Sequence, residues 1–108
     1  MILIVPTFLR IVAGKWVNAM ALWPFILIRN QEVKESKVTI NHEKIHFRQQ
    51  LELFLLLFYI LYIVFYLIYR FKGCSHLRAY SNIPFEKEAY KHDSDLDYLK
   101  SRKLWNWL

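Results

Sequence analysis

From Leu53 to Tyr69 the chain reads LFLLLFYILYIVFYLIY, with no charge, glycine or proline. Such a run predicts a helix of about 25 Å, at the short end of what crosses a hydrocarbon core of about 30 Å. Upstream, Thr39 or Asn41 can cap a helix that begins near Ile40, and no stop signal follows until Gly73. One continuous helix over residues 39–72 is therefore predicted, polar in its first half and an apolar membrane segment in its second. Placed on a wheel at about 100° per residue, Phe54, Phe58, Phe65, Tyr59, Tyr62, Tyr66 and Tyr69 fall on one side. Leu53, Leu56, Leu57, Ile60, Leu61, Ile63, Val64, Leu67 and Ile68 form an aliphatic side, with Leu55 the exception. Tyrosine hydroxyls need partners, so the aromatic side is expected to face protein or headgroups and the aliphatic side lipid.

The flanking pattern is more broken. Residues 16–29, WVNAMALWPFILIR, are branched and aromatic and read as extended chain, an edge strand or hairpin arm interrupted at Pro24. The polar NQEVKESK that follows reads as a turn, and GCSHLRAYSNIP, residues 73–84, as a loop. Pro84 suits the first turn of a second helix over residues 83–103, and LWNWL sets two tryptophans beside Arg102 and Lys103 as an interfacial anchor would. The expected architecture is a single mainly α domain over 1–108, membrane-associated, with a short extended N-terminal strand or hairpin and turn in residues 1–38. The opening MILIVPTFL has no basic leader, contains Pro6 and is cut by Arg10, which argues against a cleaved signal peptide.

Charge and size narrow the reading. The net charge of +6 suits anionic headgroups or nucleic acid. The Lys and Arg are scattered rather than gathered on one element, which argues against nucleic acid. A chain of 108 residues has little to wrap around a soluble core helix as apolar as 53–69. A single cysteine, Cys74, excludes an internal disulfide.

The candidate chemistry lies in NHEKIHFRQQ, residues 41–50. On a helix, His42 and His46 share a face and can aim imidazole nitrogens at one ion, with Glu43 beside them as a base for metal-bound water. The plainer reading is a solvated first turn on which His42, Glu43, Lys44 and Arg48 face water. A catalytic zinc needs a third ligand. The metzincin pattern is excluded, because Gln49 and Glu52 stand where it requires glycine and histidine. A downstream glutamate is the other common solution, and FEKEAY, residues 85–90, offers Glu86 and Glu88. His76 and His92 read as ordinary exposed histidines, with His92, close to Glu86 in sequence, held as a reserve ligand.

At these residues the chain resembles the gluzincins, and more narrowly the membrane forms similar to HtpX and the CAAX prenyl proteases, whose ligand glutamate stands three residues before the alanine of E-x-x-A-D. It also looks like a group of short bacterial proteins with N-A-x-x-x-P-F-I, N-H-E-x-I-H-x-R-Q-Q and F-E-x-E-A-Y. The resemblance implies Glu86, three before Ala89, as the third ligand with His42 and His46, and Glu43 as general base and acid. It implies a Zn2+-dependent metallopeptidase of the bacterial inner membrane, with membrane lipid and a peptide or protein substrate as partners. Tyr90 stands where the family has an aspartate, and Asp93, on the same helical face as Glu86, is the substitute available to orient a ligand histidine. Tyr80 or Tyr90 could serve the oxyanion, and the strand around Asn18 to Ala21 could pair with substrate. The alternative is a non-catalytic subunit or scaffold of a larger membrane protein complex. A straight spanning helix would leave Glu86 across the membrane from the histidines, so a Glu86 ligand requires the apolar helix to bend back or to lie along the surface.

Overall fold

The computed structural model describes residues 1–14 and 17–108. Lys15 and Trp16, the latter the first residue of the expected extended stretch, lie outside the described residues. Branched residues pair early and late in the N-terminal part. Strand β1 (Ile2–Ile4) runs parallel to β3 (Phe25–Ile28), and β2 (Ala19–Leu22) runs antiparallel to β3, in the order β1-β3-β2. The hairpin between β2 and β3 turns at Trp23 and Pro24, at the break expected from the proline. The segment before it is not all extended. Pro6, with its fixed φ, opens helix α1 (Pro6–Ala13), which buries Leu9.

Local caps move several helix boundaries from where the sequence puts them. Asn30 accepts from the Val33 N–H and turns the expected polar turn into the short helix α2 (Gln31–Glu35). Ser36 accepts from the Thr39 N–H, so α3 (Lys37–Glu52) begins ahead of Thr39 and Asn41. Ser75 does the same for α5 (His76–Asn82), within the stretch expected to be a loop. The second helix is split into α6 (Pro84–His92) and α7 (Tyr98–Ser101). Asn41 explains the split, because its Nδ2 donates to the carbonyls of Asp93 and Asp95 and holds that backbone out of a helix.

The largest correction is to the long helix. It breaks after Glu52, and α4 (Leu56–Phe71) leaves at 111° to α3. The break is a Schellman turn built without glycine: the Leu55 N–H bonds the Gln50 carbonyl, the Phe54 N–H bonds that of Leu51, and Phe54 has φ +54°. The far end of α4 closes in the same way around Gly73 at φ +97°, with Cys74 N–H on the Tyr69 carbonyl and Gly73 N–H on that of Arg70. Burial of Leu53 against Phe58, Ile83 and Phe85 holds the first turn closed despite its side chains. Leu53 thus belongs to the core and not to the aliphatic side, while Phe54 is exposed and not on the protein side.

Among the described residues no single helix is long and apolar enough to cross a membrane. The rest of α4 divides as the wheel predicts, except that Leu61, expected on the aliphatic side, packs on the core. Phe58, Tyr59, Tyr62, Phe65 and Tyr66 pack on the core, and Leu56, Leu57, Ile60, Ile63, Val64, Leu67 and Ile68 are exposed. The tail is less of an anchor than expected, since Trp107 packs on Phe85, with ring centroids 4.7 Å apart. A second cluster, Ile45, Ala89 and Tyr98, joins α3 to α6 and α7. Left-handed backbone costs a side-chain-bearing residue about 1 kcal/mol or more, and exposed Phe54 loses little burial on truncation. Phe54→Gly is therefore expected to stabilise the fold by up to about 1 kcal/mol, read as a raised Tm in thermal denaturation.

Candidate metal centre

Helix α3 spends its polar residues inward. Asn41, His42, Glu43, His46, Gln49 and Gln50 are all buried, while Lys44 and Arg48 are exposed, so the solvated-turn reading holds only for the two cations. Gln50 docks the sheet: its Nε2 donates to the Ala21 carbonyl at 2.8 Å, and its Oε1 accepts from the Trp23 N–H at 3.0 Å. The bend after Glu52, the run of α4 and its return through α5 bring α6 back against α3. This path places Glu86 on the histidines.

His42 Nε2 and His46 Nε2 each stand 3.1 Å from Glu86 Oε1 and 3.2 Å from one another. Ligand atoms about 2.0–2.1 Å from a tetrahedral ion lie about 3.3 Å apart, so the spacing fits one such ion with a fourth position left for another ligand. The group His42, His46 and Glu86 could hold a metal ion. Each side chain is also oriented from behind. Asp93 Oδ2 lies 3.1 Å from His42 Nδ1, Gln49 Oε1 lies 2.7 Å from His46 Nδ1, and the Tyr62 hydroxyl donates to Glu86 Oε2 at 2.6 Å. With Oε2 taken by Tyr62, Glu86 offers a single oxygen to the site. Tyr90 packs edge-on against the His42 ring, with centroids 4.4 Å apart, in the place where the gluzincin pattern has aspartate.

Burial and the neighbouring charges pull these groups in opposite directions. Burial pushes the Glu43 carboxyl up, opposed by the His46 and His42 charges and a hydrogen bond to the Ala21 backbone; the neighbouring Glu86 charge pushes it further up. Burial would also raise Glu86, but His46 and His42 hold it well below the usual carboxylate range. For His46 burial works downward and is outweighed by the Glu86 charge and hydrogen bond, with Glu43 and Gln49 adding to them, which raise it to about 9.

The centre opens into a cavity of about 780 Å³ lined by Glu43, Tyr62, Tyr80, Tyr90 and the β2 residues Ala19, Met20 and Ala21. Strand β2 is an edge strand. The Arg29 N–H bonds the Asn18 carbonyl, which sets the alternation so that Ala19 and Ala21 turn their backbone groups away from β3. The Tyr80 and Tyr90 hydroxyls lie 3.3 Å apart on the cavity wall. Glu88 is not at the centre; it pairs with buried Arg102. His76 bonds the Tyr66 hydroxyl, and His92 stacks on Tyr98. Sequence reasoning missed Gln49, Gln50, Tyr62 and Arg102. The first two carried a signal, since they lie on the same side of α3 as His42 and His46, and the need of the α4 tyrosines for partners pointed towards Tyr62.

No protein-family model, curated protein or solved structure matches the chain, so the centre is read from its own geometry.

A histidine raised from 6.5 to about 9 in the folded state, as His46 is, contributes stability that is whole below pH 6.5 and is lost as pH rises through about 9. The metal-free protein should show a falling Tm between these values. Saturating Zn2+ should abolish the fall, because metal binding strengthens as ligand protons leave.

Proposed function

We propose that this protein is a gluzincin-like zinc peptidase seated on a membrane surface, in which His42, His46 and Glu86 hold the ion and Glu43 moves the proton. The observation that carries the reading is the convergence of His42 Nε2, His46 Nε2 and Glu86 Oε1 within 3.2 Å in the wall of a cavity that also contains Glu43. Bound zinc supplies a water of lowered pKa and polarises a carbonyl. The chain's own residues do the rest. Glu43, with its carboxyl raised by burial, accepts a proton from the attacking water and passes it to the leaving amine. The outward backbone of Ala19 on β2 pairs with an extended peptide and lays it along the cavity. The hydroxyls of Tyr80 and Tyr90 face the same space and supply donors for an oxyanion.

The membrane part of the proposal rests on α4. Its exposed aliphatic side is continuous from Leu56 to Ile68 and ends in exposed Arg70 and Lys72, a pattern suited to lying in an anionic lipid surface. The 111° bend then leaves α3 and α6 on one side of that surface.

The purified protein should hold about one zinc per chain, and His46→Ala or Glu86→Gln should lose it by elemental analysis. Glu43→Gln should keep the metal and lose on the order of 10²–10⁴-fold in peptide cleavage. A metallated Glu43→Gln protein as active as wild type would remove the catalytic role. For the membrane, Ile60→Glu with Leu67→Glu should abolish cosedimentation with phosphatidylglycerol-containing vesicles while leaving zinc content unchanged; retained cosedimentation would refute the α4 seat.

A further inference from the structure

We infer that Gln49, Glu88 and Arg102 form a buried positioning chain that sets which nitrogen of His46 faces the metal, an inference that rests on the metal-site reading above.

Gln49 is fully buried, and the two ends of its amide have nearly the same shape, so only its partners decide which way it points. Its Nε2 donates to the Phe85 carbonyl at 3.0 Å and to Glu88 Oε1 at 2.9 Å. Both partners are pure acceptors. A reversed amide would set its own oxygen against both of them and leave that buried oxygen without a donor. The carbonyl end is therefore directed at His46 Nδ1, 2.7 Å away. An acceptor there requires Nδ1 to carry hydrogen, and the neutral ring then keeps its lone pair on Nε2, the atom beside Glu86 Oε1 and His42 Nε2.

The chain extends outward through charge. Arg102 donates to Glu88 from Nε and Nη2, Tyr98 donates its hydroxyl to the same carboxylate, and these bonds keep Glu88 an acceptor. Arg102 also grips Glu52, the last residue of α3, through two bonds of 2.9 Å. Its side chain and those of both glutamates are almost wholly buried. An ion pair whose task was only to staple α3 to α6 would not need Gln49 between Glu88 and the histidine. His42 has a carboxylate, Asp93, against its Nδ1 and cannot be misoriented in this way. His46 relies on a neutral amide, and so on the remote charge that orients it.

The test uses the full-length chain and Zn2+ in competition with a chelator, with far-UV circular dichroism to confirm folding. Arg102→Ala would strand two buried carboxylates and is a poor choice. Glu88→Gln keeps the volume but offers Gln49 a donor as well as an acceptor. It should weaken zinc binding about 10–100-fold, and Gln49→Met, which removes the acceptor outright, should do the same. Exchanging the two groups, Gln49→Glu with Glu88→Gln, restores an obligate acceptor at His46 and should recover affinity to within a few-fold of wild type. Nitrogen-15 NMR of the zinc-loaded wild type should find the His46 proton on Nδ1. Wild-type affinity in both folded single variants, an exchange variant weaker than Glu88→Gln alone, or a His46 proton on Nε2 would overturn the inference. A wild-type chain that binds no zinc would instead overturn the metal site itself.

Discussion

Polar atoms about 3 Å apart in a buried pocket must satisfy one another, through a shared proton or an ion, or lose solvation that nothing replaces. His42 Nε2, His46 Nε2 and Glu86 Oε1 are such a group, and most other features of the fold can be traced to holding it together. Asp93, Gln49 and Tyr62 each take the outward atom of one member, so that the three inward atoms face one another. The Glu86 carboxylate favours a proton on His46, whose imidazole is pushed up to about 9 against the effect of burial. A tetrahedral ion would satisfy all three and leave a fourth coordination position for another ligand.

Bringing the group together imposes a path on the chain. The two histidines lie on α3 and the glutamate on α6, with an apolar helix between them in sequence. A straight α4 would carry the chain about 24 Å away from the histidines over its 16 residues. The non-glycine turn at Phe54 and the glycine turn at Gly73 fold that distance back, and α5 completes the return. Left-handed backbone at Phe54 and Leu55 is the local cost, offset by burial of Leu53 and Phe58 against Ile83 and Phe85. Since Tyr62 lies on α4, the helix that carries the exposed aliphatic surface also touches the centre.

The sequence makes the centre more legible than the fold around it. The spacing of His42, Glu43 and His46 carries its own geometry on any helix, and the branched and aromatic residues on either side of Pro24 marked an edge strand or hairpin arm with its break in the right place. Glu86 was separable from Glu88 only through the register of a resembling family. The break at Leu53 to Leu55 was hidden because its turn contains none of the residues that usually mark one, whereas the same turn at Gly73 was plain. Helix α5 was missed since Gly73 and Ser75 read as loop, when Ser75 is in fact its cap. Arg102, Gln49 and Tyr62 act through partners far away in sequence, and pairings of that kind leave no periodic trace.

X-ray absorption at the zinc edge of the loaded protein would read the ligand shell itself. Four nitrogen or oxygen neighbours near 2.0–2.1 Å, with the multiple-scattering signature of two imidazoles, are expected. A shell containing the sulfur of Cys74, a six-coordinate oxygen shell without imidazole, or the same spectrum after Glu86→Gln would contradict a centre built from His42, His46 and Glu86.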